Sequence, residues 1–489
     1  MSITDKIHVS KVGGTDVASG DKFDYPLSST ILSGLSVAFD MLAIVVSGFV
    51  TFYALIEWRA HIHEYYASAI CFLAMAVFLL AHFAGLYKFS VIVRPFEYLD
   101  KIIVVFATAF LLLLAVAFSL KVSEIFSRVW MYSFALSACC ASIAVRFAGS
   151  FAVHSFARRG LFVRNVVILG CGEQGQRFLS HLVGSPLDFV NIVGVFDDRS
   201  SRVGPMVEGY AVQGNLEDLI AFARKHRVDD VVIALPWSAD QRLISIVNRL
   251  RELPLSIHLS SDLAGFSLNY REAPSHFEQV PIVEVVDTPL SGWNVLWKSL
   301  EDRVLAFIIV IFFSPFMAAI ALAVKLEDPG PVFFRQKRFG FNNKAFYIYK
   351  FRSMYHNRPP ENATVQAVRD DPRITKVGRF IRRTSLDEFP QLFNVLNGTM
   401  SLVGPRPHAV DHNEEYSKKI GGYFARHRVR PGMTGWAQVN GWRGETDTLE
   451  KMEARVRHDI YYAENWSILF DLKILVMTAY VILLGKNAH

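Results

Sequence analysis

The chain is poor in cysteine, and its first residues lack the pattern expected of a secretory leader. Four cysteines occur in 489 residues. Cys71, Cys139 and Cys140 lie in apolar runs and Cys171 in a glycine turn. None has zinc-ligand spacing, so they read as small buried hydrophobes in a reducing compartment. Met1 to Ser28 is polar without an apolar core, which excludes a signal peptide and reads as a disordered cytosolic tail. Internal repeats and low-complexity segments are also missing. Charge is sparse, at 20% of residues against 52% hydrophobic, with a mean hydropathy of +0.27. That is too apolar for an ordinary soluble enzyme and too polar for membrane spans alone. A mixed membrane–cytosol protein of about three domains satisfies both limits. The formal net charge of +6 suits anionic lipid and phosphorylated substrates more simply than nucleic acid.

Four apolar stretches come first: Ile31–Leu55, Ala67–Leu86, Ile102–Leu120 and Val129–Val153. Each approaches or exceeds the roughly 20 residues that cross a bilayer core. The linker after the second carries Lys88, Arg94 and Lys101, and the stretch after the fourth carries Arg158, Arg159 and Arg164. Arg59 stands alone in one of the other linkers, Lys121 and Arg128 in the other. This imbalance puts both ends of a four-helix bundle in the cytoplasm.

From Asn165 to Asp287, short apolar strands (Val166–Leu169, Ile192–Phe196, Asp230–Leu235) alternate with helix-like stretches. A parallel sheet with crossover helices is expected. Gly170-Cys171-Gly172-Glu173-Gln174-Gly175 follows the first strand, in the setting of a dinucleotide-binding turn. Asp197 and Asp198 end the next strand, where a ribose-binding acid would sit. An oxidoreductase acting on nucleotide sugars would usually need Tyr-x-x-x-Lys. Here Tyr210 and Tyr270 are followed four residues later by Gly214 and Pro274. Gly170, Gly172, Gly175 and Asp197 are therefore candidates for nucleotide binding or for a purely structural turn, with redox catalysis disfavoured.

A fifth apolar run, Val304–Val324, has Ser314-Pro315 at its centre, and a mid-helix proline removes a hydrogen bond. Both flanks are basic: Lys298 and Arg303 before, Lys325, Arg335, Lys337 and Arg338 after. A crossing helix should favour one side. Four crossings already return the chain to the cytoplasm, so a fifth would strand the rest of it outside. A re-entrant helix over about 303–325, broken at Ser314-Pro315, removes the conflict. Ser314 could then supply a partner for freed backbone. Ile474–Leu484 is too short to span and reads as an interfacial or buried helix.

The remainder is dense in cations, turns and aromatics. Lys350-Phe351-Arg352-Ser353-Met354 ends a strand candidate, and Arg grips two phosphate oxygens where Lys acts as a point charge. Arg382-Arg383-Thr384-Ser385-Leu386-Asp387-Glu388-Phe389-Pro390-Gln391 sets two adjacent carboxylates after two arginines. On a helix, neighbours point about 100° apart, so one could attack phosphorus while the other holds Mg²⁺. Ser385-x-x-Glu388 also fits a capping box, and spacing alone does not choose between the two. Either way a helix N-terminus would attract phosphate. Arg406, between Pro405 and Pro407, and Arg430 are further cations held by turns. Trp436 and Gln438 could contact a base or sugar, or Trp436 could be core. Asp459 is the odd acid on an amphipathic helix.

These residues resemble the bacterial polyprenyl-phosphate hexose-1-phosphate transferases, which are monotopic phosphoglycosyl transferases. The matching motifs are Lys350–Met354, Ser385–Gln391, Ser401-Leu402-Val403-Gly404-Pro405-Arg406-Pro407, Arg430-Pro431-Gly432-Met433-Thr434-Gly435-Trp436 and Asp459-x-Tyr461-Tyr462. Long members of that family also carry four spans and a nucleotide-binding-like domain. The resemblance implies a fold of tail (1–28), four-helix transmembrane bundle (29–157), Rossmann-like α/β domain (158–290) and α+β catalytic domain (291–489) with the re-entrant helix. It implies that Asp387 attacks the β-phosphate of a UDP-sugar, releases UMP and passes the sugar-phosphate to undecaprenyl phosphate in a ping-pong reaction. Glu388 would bind Mg²⁺. Lys350, Arg352, Arg382, Arg406, Arg430, Gln438 and Asp459 would contact substrate. Gly444–Glu450 looks like glucose- or galactose-transferring members, glucose preferred. A bacterial inner-membrane enzyme of exopolysaccharide synthesis is expected, its site on the cytoplasmic face, with membrane lipid as a partner and a homodimer as a candidate assembly. The competing class is a nucleotide-sensing membrane regulatory protein, which leaves Asp387 unexplained.

Overall fold

The computed structural model describes residues 29–56, 63–158, 163–184, 189–199, 204–260, 282–356, 371–408, 410–442 and 448–483. The N-terminal tail, Tyr270 and residues 444–447 of the glycine-led motif lie outside these ranges. Four long helices, α1 (Ser29–Leu55), α2 (His63–Phe83), α4 (Leu99–Ser119) and α5 (Arg128–Ala157), are long and apolar enough to cross a membrane. A short α3 (Phe89–Val93) precedes α4. Leu111, Phe118, Leu136 and Phe151 point outward, as they do when lipid is the solvent. Inside, Trp130 and Phe134 pack with Tyr66. Asp40 of α1 pairs with Arg146 of α5, accepts from Ser142 at 2.8 Å, and Arg146 also donates to the Leu86 carbonyl at 2.9 Å. A charge inside such a bundle persists only with partners of this kind. The expectation that all four cysteines are buried does not hold. Cys71 and Cys140 are exposed on the helical bundle and only Cys171 is buried, because an apolar span offers thiols a lipid-facing surface as well as a core.

The middle unit holds a five-stranded sheet in the order β2 (Val190–Phe196), β1 (Arg164–Leu169), β5 (Asp230–Ile233), β6 (Ser256–Ser260), β7 (Ile282–Val286). A two-residue pair, β3 (Met206–Val207) and β4 (Tyr210–Ala211), lies beside it. The central strands are parallel, but β7 runs antiparallel to β6, so the sheet is mixed rather than wholly parallel. Helices α6 (Glu173–Gly184), α7 (Leu216–Lys225) and α8 (Asp240–Leu250) make the crossovers. Asn215 caps α7 with both halves of a capping box, which fixes where that helix starts. At the β1–α6 turn, Gly170 has φ +108°, and a Cβ on Gly175 would collide with the Gly170 carbonyl. Gly175→Ala should therefore cost about 1–3 kcal/mol through forced backbone shifts. A lowered thermal unfolding midpoint of the full-length protein checks this; an unchanged midpoint contradicts it.

The final unit begins with α9 (Trp293–Glu327), a single helix that runs through Pro315. The anticipated interruption at Ser314-Pro315 is not an end of the helix. The prolyl nitrogen cannot donate to Ile311, and the Ser314 hydroxyl takes that carbonyl instead at 2.8 Å, which keeps the turn satisfied. Both ends of α9 are held by the same domain. Near its start, Asp302 accepts from the Leu402 amide at 3.0 Å and Lys298 reaches Asp471 at 2.5 Å. At its end, Glu327 accepts from the amides of Lys376 and Val377 at 2.6 and 2.9 Å. The outer face of its middle is exposed at Phe307, Ile311 and Phe312, while Ala306, Ile309, Val310 and Phe313 on the other face pack against the domain. A hairpin of β8 (Phe333–Phe339) and β9 (Ala345–Phe351) follows, then α10 (Lys376–Arg383), α11 (Gln391–Leu396), β10 (Ser401–Val403), α12 (Val410–Lys419), β11 (Gly432–Thr434), α13 (Trp436–Val439), α14 (Leu449–Glu464) and α15 (Ile468–Leu483). Helix α15 exposes Leu469, Leu472, Val476 and Tyr480 while burying Asp471 and Ile474. An apolar outer stripe of this spacing fits a helix lying in a membrane interface.

Several contacts among the described residues join the units; Phe89 of α3, for example, packs edge-on against Phe189 at 5.1 Å. Trp293 donates to the Thr30 carbonyl of α1 at 3.1 Å. Asn342 donates to the Ala223 carbonyl of α7 at 3.0 Å, and Arg224 lies over the Phe424 ring at 4.4 Å.

Candidate active site

The site is built on the β8–β9 hairpin. Cross-strand partners share a face, and the register pairs Arg338 with Phe346 and Phe334 with Lys350. Arg338 and Lys350 thus fall on the face of buried Ile348. Arg335 and Lys337 fall on the other face, where Arg335 stacks on Tyr349 at 5.4 Å. Asn394 of α11 clamps onto β9, accepting from the Tyr349 amide at 3.0 Å and donating to the Tyr347 carbonyl at 2.8 Å. The segment just before α11 is thereby fixed against Lys350.

That segment is a 3₁₀ turn, Leu386–Glu388, entered through Ser385 at φ 57°. A left-handed conformation is uncommon in a non-glycine residue and marks stored backbone strain. Neither sequence-based alternative describes it fully. The Ser385 side chain makes no capping bond, and the Glu388 carboxylate is taken up by Arg406 and Lys350. Pro390 sits ahead of α11, where its missing N–H costs nothing. Helix α11 spans only six residues, so its dipole is a small contributor. The positive field comes from side chains.

Glu388 is gripped from two sides. Arg406 donates to both its carboxylate oxygens, at 2.6 and 3.1 Å, and Lys350 donates at 2.8 Å. Burial alone would raise this carboxyl, but Arg406 and Lys350 hold it well below the usual range. Asp387, one residue away, behaves oppositely. Burial and the Glu388 charge push it up to about 6, against the pull of Lys350, Arg382 and Arg406. Two neighbouring carboxylates with divided ionisation behaviour are the pattern of assigned chemical roles. Arg338, lowered to about 10 by burial and by Arg406, stands beside them as a cation that the sequence shows only as part of a basic flank; the hairpin register that aims it here is visible only in the structure.

The other anticipated contacts are distributed elsewhere. Arg352 is buried and bonds to the Asp328 carbonyl, so it holds the turn at 328–331. Gln438 is buried and donates to the Met433 carbonyl at 3.4 Å. Trp436 packs against Phe470 and Tyr461. Arg430 borders a small cavity with Lys298, Asp302 and Tyr462. Asp459 is 2% exposed and pairs with Arg426 at 2.8 Å. The structure gathers Asp387, Glu388, Lys350, Arg382 and Arg406 and places the rest within the supporting core.

In the middle unit, Asp197 is buried and accepts from the Cys171 amide at 2.6 Å and the Arg199 amide at 2.7 Å. Burial notwithstanding, these donors hold its carboxyl below the ordinary range. It braces the glycine turn over which Arg199 lies. Among the described residues no group of three His, Cys, Asp or Glu side chains could enclose a metal. With Asp387 reserved as nucleophile, Glu388 is the carboxylate of the pair that would hold Mg²⁺; Arg406 and Lys350 already donate to its oxygens, so water and substrate phosphate would have to supply most of the coordination.

Comparison with known proteins completes the picture. A family profile described as bacterial sugar transferase matches residues 293–485, and one described as CoA-binding domain matches residues 82–261. The chain is 45% identical over 328 residues to the UDP-glucose:undecaprenyl-phosphate glucose-1-phosphate transferase of Escherichia coli K12, covering 67% of this chain and 69% of that one. It is 37% identical to the enzyme of the same description from Xanthomonas campestris pv. campestris, covering 78% and 80% of the two chains. Over 190 residues it is 44% identical to a UDP-N-acetylgalactosamine-undecaprenyl-phosphate N-acetylgalactosaminephosphotransferase of Aeromonas hydrophila, covering 38% and 44%.

Proposed function

This chain belongs to the bacterial polyprenyl-phosphate hexose-1-phosphate transferases, and from that premise we propose that it moves glucose-1-phosphate from UDP-glucose to undecaprenyl phosphate and releases UMP. Exopolysaccharide synthesis would begin with this step. The observation that carries the reading is the divided pair. Glu388 is locked by two cations, and Asp387 is held at about 6, ionised at neutral pH yet basic for a carboxylate. A carboxylate oxygen of Asp387 attacks the β-phosphorus. The bond from that phosphorus to the bridging oxygen breaks, and UMP leaves with its electrons. The sugar-phosphate stays on Asp387 as an acyl phosphate. A phosphate oxygen of the polyprenyl lipid then attacks the same phosphorus and frees the carboxylate. Lys350, Arg382, Arg406 and Arg338 face the charge that develops on the phosphate oxygens. Magnesium would be held by Glu388 with substrate phosphate, and it would neutralise the pyrophosphate.

The test is UMP release by purified protein with undecaprenyl phosphate and a panel of UDP-sugars. The Aeromonas relative's name requires UDP-N-acetylgalactosamine in that panel beside UDP-glucose and UDP-galactose. Release with UDP-glucose is expected, and no release with any donor overturns the reading. Exchange of labelled UMP into UDP-glucose without lipid tests the covalent step; its absence favours direct transfer.

The same reading places the site on the cytoplasmic face of the inner membrane. From Asp302 to Glu327 a straight α9 would extend about 37 Å, yet one domain holds both ends. That supports a helix set into the bilayer with both flanks on one side, its exposed apolar face at Phe307, Ile311 and Phe312 turned to lipid. Cysteines placed at exposed Ala221 and Lys418, in a cysteine-free background, should label from the same, cytoplasmic side. Labelling of Lys418→Cys from the outside would refute re-entry.

A further inference from the structure

Arg426 is 1% exposed and lies in the 3₁₀ turn Tyr423–Arg428. We propose that the buried Arg426–Asp459 pair is a positioning device that sets Arg406 against Glu388. The inference rests on the transferase reading above and assigns no substrate contact to either residue.

The geometry is convergent. Arg426 donates to the main-chain carbonyl of Arg406 at 2.5 Å, and the same nitrogen lies 2.8 Å from Asp459. Its other terminal nitrogen is 2.7 Å from Nε2 of His408, two residues beyond Arg406. The Nδ1 atom of His408 is 2.6 Å from the Tyr423 hydroxyl, and the Tyr423 ring lies 5.7 Å below the guanidinium. Pro405 and Pro407 restrict the backbone on both sides of Arg406. The Pro405 carbonyl accepts from Gly432 at 3.0 Å. Every backbone freedom at Arg406 is thus taken up, and its side chain alone projects, in a two-point grip on Glu388. A planar fork of this kind loses its register when its base shifts.

Asp459 is needed because Arg426 is a buried cation near others. Arg455, one helical turn earlier on α14, donates to the Trp442 carbonyl at 2.8 Å and is lowered to about 10 by burial and by Arg426. Without the Asp459 charge, Arg426 would be left unpaired beside Arg455 and Arg406. Leaving one member of a buried pair uncompensated is the costly case. The expected response is movement of the turn and loss of the bond to the Arg406 carbonyl.

The experiment is a double-mutant cycle on UMP release. Asp459→Asn and Arg426→Lys are each measured with Arg406 intact and with Arg406→Lys, alongside thermal unfolding of all variants. Each change should lower kcat/KM about tenfold or more beside native Arg406, and less than about twofold beside Arg406→Lys, whose own grip is already gone. Equal losses in both backgrounds would overturn the proposal, as they would report a general structural defect. Unchanged activity in both single variants would also overturn it. If Arg406→Lys is too slow to measure, the cycle is run on substrate protection against thermal unfolding by UDP-glucose, with the same criteria. Failure of the wild-type protein to release UMP is a different result and counts against the transferase reading itself.

Discussion

Asp387→Asn should abolish UMP release, with an expected loss of at least about a thousandfold, while the protein stays folded. The amide has nearly the shape of the carboxyl but no nucleophilic oxygen, so the covalent step is lost and the pocket is kept. The stability side follows from linkage. Asp387 is raised from an ordinary 3.8 to about 6. The folded state therefore favours the protonated acid, and that stabilisation is present at low pH and lost as pH rises through 6. At neutral pH the ionised Asp387 is a liability to the fold. Its replacement by asparagine should leave the unfolding midpoint equal to or above that of wild type. The same shift sets the acid side of the rate profile. Wild-type kcat/KM should fall about tenfold per pH unit below 6. Full UMP release by Asp387→Asn, or a rate unaffected between pH 7 and 5, removes Asp387 from its role.

The contrast between Lys350 and Arg352 shows how far sequence reaches. Both are cations in one short motif, and sequence treats them alike. Strand alternation and the hairpin register decide that Lys350 meets Glu388 while Arg352, beyond the end of β9, ties down the turn at Asp328. Register needs the partner strand, which no local pattern supplies. Asp459 is a second case. Its presence on an amphipathic helix is legible, and so is Arg455 four residues before it. Its burial against Arg426 depends on a turn over thirty residues away. The spans were legible because a run of apolar residues is sufficient physical cause for a membrane helix. The continuity of α9 through Pro315 was not, since one serine hydroxyl repairs the gap that proline leaves. The glycine turn was legible as geometry and silent as chemistry. Gly175 is required by its own neighbour, the Gly170 carbonyl, whether or not a ligand ever arrives.

Glu388→Gln should slow transfer by about a hundredfold or more, the range for losing a charged contact in a preorganised site, and should also move the acid side of the profile in a direction that identifies its cause. Glu388 is second only to burial among the influences that raise Asp387, while Lys350, Arg382 and Arg406 lower it. Removing the Glu388 charge withdraws a repulsion and frees Lys350 and Arg406 to face Asp387. Asp387 then ionises more readily. The residual activity of Glu388→Gln should therefore persist to lower pH than that of wild type, its half-point shifted below 6. A weaker base is also a weaker nucleophile, so the plateau falls even where more of the enzyme is ionised. Arg406→Lys has the opposite sign where its grip is lost, because the cation that lowers Asp387 withdraws. Opposite displacements of the two half-points are the signature of one electrostatic unit, in which Glu388 tunes Asp387 and the cations hold them both. A profile that only drops, with its half-point unmoved in Glu388→Gln, would mean that Glu388 acts through metal or phosphate alone, and the half-saturating Mg²⁺ concentration of that variant would then carry its effect.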